Sequence, residues 1–153
     1  MNREGVRPGD GVVIRRAQSS DAPSLAALSD QLGYPVTVEQ MASRLEAVLP
    51  DASCAVLVAE DEDGAVAAWV HVRAERGIES EPFAEIRGLV VDERRRGEGI
   101  GKRLVTEAVQ WAGGRGLAKV RVRCNVLREG AHRFYERQGF ALAKTQAVYD
   151  KVT

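Results

Sequence analysis

The chain has 153 residues, 44% of them hydrophobic and 29% charged, which suits one globular domain able to bury about 70% of the surface its unfolded chain exposes. Its 22 basic and 22 acidic residues cancel, so nothing global points to nucleic acid or to an anionic membrane surface. No apolar run approaches the roughly eighteen residues of a membrane helix and no signal-peptide core follows the start, which makes the cytoplasm the default expectation.

Residues 1–11 hold three glycines, a proline and four charged residues without any period. They read as a disordered leader or an appended extension, with the folded domain over 12–153. Val12-Val13-Ile14 opens a first strand. Asp21 is placed to cap a helix with Pro23 in its first turn, Leu25, Leu28 and Leu32 on one face, and Gly33 as its stop. Thr37-Val38-Glu39-Gln40 has the spacing of a capping box for a second helix, which turns Met41, Leu45, Val48 and Leu49 inward and ends at Pro50. Two strands, Cys54 to Ala59 and Ala65 to Arg73, are joined around Asp63-Gly64, a strong hairpin signal. Glycine and acid dominate the loop that follows, and Phe83 to Val91 is short, apolar-rich and β-prone.

Next comes Arg96-Gly97-Glu98-Gly99-Ile100-Gly101, and then Leu104, Val105, Ala108, Val109 and Ala112 at helical spacing up to Gly113-Gly114. A strand starts at Lys119, a short helix runs from about Ala131 to Arg137 and stops at Gly139, and Phe140 to Lys151 is expected to form a last hairpin. The predicted order is β-αα-βββ-α-β-α-ββ. Periodicity by itself supports only an α/β or α+β class.

A glycine-rich turn between a strand and a helix leaves unpaired backbone N–H groups at the helix start, a seat for a phosphate or pyrophosphate. Two nucleotide readings of that turn fail on spacing. A dinucleotide fingerprint needs G-x-G-x-x-G, whereas the glycines here fall at 97, 99 and 101 with Lys102 next. A Walker A loop needs four residues before its Gly-Lys and then a hydroxyl; here only three intervene and Arg103 follows.

What remains is R-x-x-G-x-G, met by Arg96, Gly99 and Gly101. With it stand the strand ending in Leu89-Val90-Val91-Asp92, the run Val120-Arg121-Val122-Arg123-Cys124-Asn125, and Ala131-His132-Arg133-Phe134-Tyr135 followed by Gly139-Phe140. Together these resemble the GNAT superfamily of acyl-coenzyme A-dependent N-acetyltransferases, over roughly Val12 to Lys151, most specifically from Phe83 to Phe140. The resemblance implies the mixed-sheet α/β (α+β) acyl-CoA N-acyltransferase fold. In that fold a central, mostly antiparallel sheet splays between the strands at 83–91 and 119–125.

It also implies acetyl-coenzyme A as co-substrate, with no metal. The backbone of Leu89, Val90 and Val91 would bind the pantetheine arm, and the amides of Gly97, Glu98, Gly99, Ile100 and Gly101 the pyrophosphate, flanked by Arg96 and Lys102. One of Arg94 and Arg95 would merely face water. Asn125 would touch the pantetheine from the next strand; its bland reading is a strand-end turn. Tyr135 would stand beside the coenzyme A sulfur as general acid, and Glu85 would be the general base. A glutamate near pKa 4.3 and an amine near 10.4 leave direct transfer uphill by about six units, so burial or a water chain must help. The competing role for Glu85 is an ion pair with Arg87 on the same strand face.

Tyr34 and His71 are candidates for the acceptor side, and Glu75, Glu79 and Glu81 give the mouth a negative potential suited to cationic amines. Trp69 and Trp111 read as core or dimer-interface residues, which leaves a homodimer open. Cys54 and Cys124 read as buried free thiols, and two histidines without ligand spacing define no metal site. The expected activity is acetyl transfer to a primary amine of a small molecule by direct attack in a ternary complex. The alternatives are a protein N-terminal or lysine acetyltransferase, and a non-catalytic acyl-coenzyme A sensor of the same fold. No nucleic acid or membrane partner is expected.

Overall fold

Five strands make one sheet in the order β1-β2-β3-β4-β5: β1 (Val13–Arg16), β2 (Cys54–Glu60), β3 (Val66–Glu75), β4 (Phe83–Val91) and β5 (Val120–Val122). The computed structural model describes residues 11–153; residues 1–10, most of the expected leader, lie outside the described residues. The first four strands pair antiparallel and β5 runs parallel to β4. Residues 54–59 of β2 are all buried, as a continuous apolar run covered on both faces must be. β3 instead alternates. Val70 and Val72 are fully buried, while Trp69, His71 and Arg73 point to the other face and keep some exposure. The β2–β3 turn is organised by Asp61, whose Oδ1 accepts the N–H groups of Asp63 and Ala65 at 2.9 and 3.0 Å, with Gly64 at a φ of +81°.

Two helices, α1 (Ala22–Gln31) and α2 (Val38–Val48), cover one face, where Leu25, Ala26, Met41 and Leu45 cluster with Val56 and Val58 and with the partly buried Trp69. α3 (Ile100–Gly114) packs against β2, β3 and β4 through Ile100, Leu104, Val105, Ala108 and Ala112, but Val109, expected inward, is exposed. The capping box of α2 forms as expected. At α1 the expected N-cap residue and first-turn proline are in place, but the cap bond is missing. Asp21 stands at the N-cap without a side-chain cap bond, because its carboxylate is taken by the guanidinium of Arg15 at 2.8 and 2.9 Å and by the N–H of Gln18.

The described residues divide into two compact units, one through Val122 and one over Arg123–Thr153. The second holds α4 (Glu129–Arg137), which ends before Gly139 at a φ of +91°. The expected final hairpin does not form. Residues 140–153 contain no strand, and Leu142, Val148, Tyr149 and Val152 are exposed. Strand propensity without a ladder partner does not make a strand. For the same reason the strand expected at 119–125 contracts to the three residues that pair with β4.

Candidate active site

The glycine loop is tethered before α3 begins. Asp92 donates its N–H to the carbonyl of Ala67 at 2.8 Å, and Glu93 donates its N–H to Oε1 of Gln31, at the end of α1, at 2.9 Å. The Asp92 carboxylate accepts the N–H of Arg94 and caps a 3₁₀ turn over Glu93–Arg95. Gly97 and Gly99 then both take a φ of +83°, the left-handed region where a side chain is strained. A Cβ at either would meet nothing within 4 Å, so the space in front of the loop is open.

α3 starts at Gly99 with no side-chain cap, and its first intrahelical bond runs from the N–H of Arg103 to the carbonyl of Gly99 at 3.1 Å. The amides of Ile100, Gly101 and Lys102 therefore precede every intrahelical bond, at the positive end of the helix dipole. This chemistry fits a pyrophosphate. Arg96 and Lys102 beside it are exposed and form no ion pair among the described residues. Of the other two arginines, Arg94 is the one that faces solvent, folded back on Asp92. Arg95 is partly buried between Glu98 and Asp61.

β4 loses its partner where the resemblance places a splay. It pairs with β5 only through Ala84, Glu85 and Ile86, so the edge from Gly88 to Val91 has no β5 ladder among the described residues. On the other side, Val72 faces Ile86 and His71 faces Gly88, which makes Arg87 the extra residue of a bulge. Gly88 is required there. A Cβ on it would stand 2.8 Å from two ring carbons of Trp69, whose indole lies over the glycine.

Glu85 is 3% exposed, opposite Arg73 on one side and Arg121 on the other. Its Oε2 accepts from Nη1 of Arg87 at 2.9 Å, so Glu85 is ion-paired on its own strand face. Arg87 also lies 3.7 Å from Glu75, and Arg73 lies 3.6 Å from both Glu75 and Asp51. His71 is half-buried in this row. Burial first, then the charges of Arg87 and Arg73, hold its imidazole below the ordinary value against the pull of Asp51, which keeps the ring neutral at pH 7. Its Nε2 and the Nε1 of Trp69 are buried without a hydrogen-bond partner among the described residues, a cost of about 1–3 kcal/mol each. Tyr34 stands 66% exposed between α1 and α2. Glu79 and Glu81 are exposed in the loop before β4.

In the second unit, Tyr135 on α4 packs edge-on against Phe134 and Phe140, at 5.0 and 5.5 Å between ring centroids. Burial, with a smaller push from Cys124, lifts its phenol to about 12. Asn125 forms a turn: its Oδ1 accepts the N–H of Leu127 at 2.9 Å, and its carbonyl accepts the N–H of Arg128 and pairs with Nε2 of His132. This is a strand-end turn, and it leaves the side-chain amide nitrogen available to a ligand. Both thiols are raised mainly by burial, Cys54 buried and Cys124 half-buried, consistent with unreactive cysteines.

The expected site residues thus fall into two sets. Glu85, the strand edge at 89–91, the loop from Arg96 to Lys102, His71 and Tyr34 belong to the first unit; Asn125 and Tyr135 belong to the second. Sequence reasoning missed the bulge at Arg87, the Trp69–Gly88 contact and the engagement of Arg95. A glycine inside a strand pattern and the i,i+3 spacing of Arg95 and Glu98 were the available signals. A cavity of about 250 Å³ between Arg16, Val48, Leu49, Cys54 and Val56 is lined by none of the expected site residues.

A five-stranded mixed sheet with an uncapped glycine start to α3 behind a splayed β4 is the arrangement that the resemblance to acyl-coenzyme A-dependent acyltransferases implies. The sequence matches the model of the acetyltransferase (GNAT) family over residues 23–140, and the chain belongs to that family. It is 35% identical over 145 residues to glucosamine 6-phosphate N-acetyltransferase 1 of Oryza sativa subsp. japonica, covering 90% of this chain and 86% of that protein. An uncharacterized N-acetyltransferase of Methanocaldococcus jannaschii is 41% identical over 63 residues, 41% of this chain and 28% of that protein. Among solved structures, glucosamine-6-phosphate N-acetyltransferase of Arabidopsis thaliana superposes with a TM-score of 0.77 at 27% identity, covering 91% of this chain and 97% of that one. An aminoglycoside N-acetyltransferase solved with CoA reaches a TM-score of 0.81 at 17% identity, covering 92% and 94%, a likeness of fold. No helix among the described residues is long and apolar enough to cross a membrane.

Proposed function

We propose that this acetyltransferase moves an acetyl group from acetyl-coenzyme A to the primary amine of a small molecule, by direct attack while both are bound. The observation that carries the cofactor half is the start of α3: amides without intrahelical partners behind two left-handed glycines, with open space in front and, beside it, two cations that form no ion pair among the described residues. The acceptor half is supported by the rice and Arabidopsis relatives, whose names give glucosamine 6-phosphate as the amine.

When bound, acetyl-coenzyme A supplies the activated thioester; the remaining work falls to this chain. The amides of Gly97 to Lys102, with Arg96 and Lys102, hold the pyrophosphate. The unpaired edge of Leu89, Val90 and Val91 binds the pantetheine arm as an added strand would. Asn125 contributes its free amide nitrogen. Glu85 takes a proton from the acceptor ammonium, directly or through a water, and Arg87 holds the carboxylate in place. Tyr135 serves the leaving sulfur. With its phenol near 12 against a thiol near 8.5, complete proton transfer is uphill by about 3.5 units, so its main contribution is a hydrogen bond to developing thiolate charge. Tyr34 and His71 face the acceptor.

Release of free thiol from acetyl-coenzyme A, followed across glucosamine 6-phosphate, an aminoglycoside, simple alkyl amines and lysine peptides, tests this. Thiol release with at least one small amine, above that with peptides, is the expected result. Turnover confined to peptides or proteins would move the acceptor to that class, and silence with all of them would favour the non-catalytic sensor.

A further inference from the structure

The glycine loop carries a carboxylate where an anion is meant to dock. Glu98 sits between Gly97 and Gly99, immediately before the free amides of α3, and its charge would repel a pyrophosphate there. The structure deals with this locally. Nε of Arg95 donates to Oε2 of Glu98 at 2.7 Å, and Nη1 of the same guanidinium donates to Oδ2 of Asp61 at 3.2 Å. The other oxygen of Asp61 holds the β2–β3 turn through the N–H groups of Asp63 and Ala65. The side chains of Arg95, Glu98 and Asp61 are 28%, 22% and 18% exposed, so this network is screened less than an ordinary surface pair. Its neighbours differ: Arg94 is 83% exposed and turned back on Asp92, and Arg96 has no carboxylate partner among the described residues.

We propose that Arg95 is a positioning residue of the coenzyme A site, which neutralises Glu98 and ties the glycine loop to the β2–β3 turn so that no free carboxylate stands among the amides. The proposal rests on the reading of this loop as the coenzyme A seat. Its logic is one of sign. Loss of Arg95 exposes the charge of Glu98 to the ligand, loss of the Glu98 charge acts in the opposite sense, and loss of both cancels. A purely structural Arg95 would show no such cancellation, because removing Glu98 as well would leave the loop equally untethered.

Calorimetric titration of the full chain with coenzyme A reads this without any acceptor. Arg95→Ala is expected to weaken binding about tenfold, and Arg95→Lys, which keeps the charge, less than about threefold. Glu98→Gln is expected to tighten binding about threefold, a gain that shrinks at high salt. Arg95→Ala with Glu98→Gln should return to within about threefold of the parent. Arg95→Ala within twofold of the parent, Glu98→Gln weaker than the parent, or a double variant no better than Arg95→Ala would each overturn the proposal. The Glu98→Gln arm stands even if Arg95→Ala folds poorly. A parent that fails to bind coenzyme A removes the seat itself and this proposal with it; a parent that binds with variants that do not follow removes only the role of Arg95.

Discussion

Two helices in the first unit begin in opposite ways. α2 closes its own start: Thr37 Oγ1 accepts the N–H of Gln40 and Gln40 Oε1 accepts the N–H of Thr37, both at 3.0 Å. α3 begins on a left-handed glycine with no side chain to offer. By local propensity the second is the poorer start: glycine is about as good an N-cap as threonine, but Gly101 lowers helix propensity and Lys102 sets a cation at the positive end of the dipole in the first turn. Tertiary contacts make up for it, through Gln31, Ala67 and Asp61 acting on the segment that feeds the helix. A helix start that the fold holds in place yet leaves unsatisfied is available to a ligand.

The largest effect is expected from closing α3 as α2 is closed. Gly99→Asp would place a carboxylate in the open space before the amides, where contact with a pyrophosphate near a surface costs about 4 kcal/mol, or about 10³-fold in affinity. Strain at a φ of +83° adds a local penalty, while the fold stays intact. Coenzyme A binding within twofold of the parent by calorimetry would remove the central claim about this loop.

Next in size are the groups assigned to chemistry. Tyr135→Phe keeps the ring contacts with Phe134 and Phe140 and should leave coenzyme A affinity nearly unchanged while turnover falls about 10²–10³-fold. Glu85→Gln should slow the reaction most at neutral and lower pH and recover as pH rises and free amine becomes abundant. If Glu85 serves only to pair Arg87, the variant will lose melting temperature but keep the parental shape of the pH–rate curve. The proton acceptor would then have to be sought elsewhere.

The control for the comparison is the closed helix. Thr37→Ala removes one arm of the capping box, and about 1 kcal/mol of stability should go with it, a fall of roughly 2–4 °C in melting temperature. Coenzyme A affinity should not move. A loss of affinity comparable with that of Gly99→Asp would mean that the two helix starts are not separable in the way described.

The contrast also explains what could be read from the sequence. Thr37-x-x-Gln40, Asp63-Gly64 and the glycines at 97 and 99 are local signals with local outcomes, and the elements they punctuate lie close to where they were expected. Asp21 shows the limit: its position is that of a cap, but Arg15 from another element takes the carboxylate. The bulge at Arg87 depends on the register between β3 and β4, which no single strand encodes. The missing final hairpin is the same lesson, since the propensity of residues 140–153 was visible and the absence of a partner was not. Arg95 belongs here too. In a run of three arginines, the one held by Asp61 from a turn 34 residues away cannot be told from its neighbours by charge alone.

The smallest predicted effect tests whether β3 repeats the contrast on its two faces, Val70 and Val72 closed and apolar, Trp69 and His71 left with unpaired nitrogens. His71 has its folded value depressed by burial, Arg87 and Arg73, with only Asp51 opposing, whereas in the unfolded chain it should titrate near 6.5. Below about pH 6.5 the unfolded state therefore binds the proton more readily than the folded one, and stability falls as pH decreases through that window until the folded value is reached. Carboxylates held low by their partners, such as Asp21 beside Arg15, act only below about pH 4 and do not intrude. Melting temperatures at pH 7.5, 6.5 and 5.5 should thus drop more steeply for the parent than for His71→Gln. Parallel curves would mean that the imidazole accepts its proton in the folded protein at no cost.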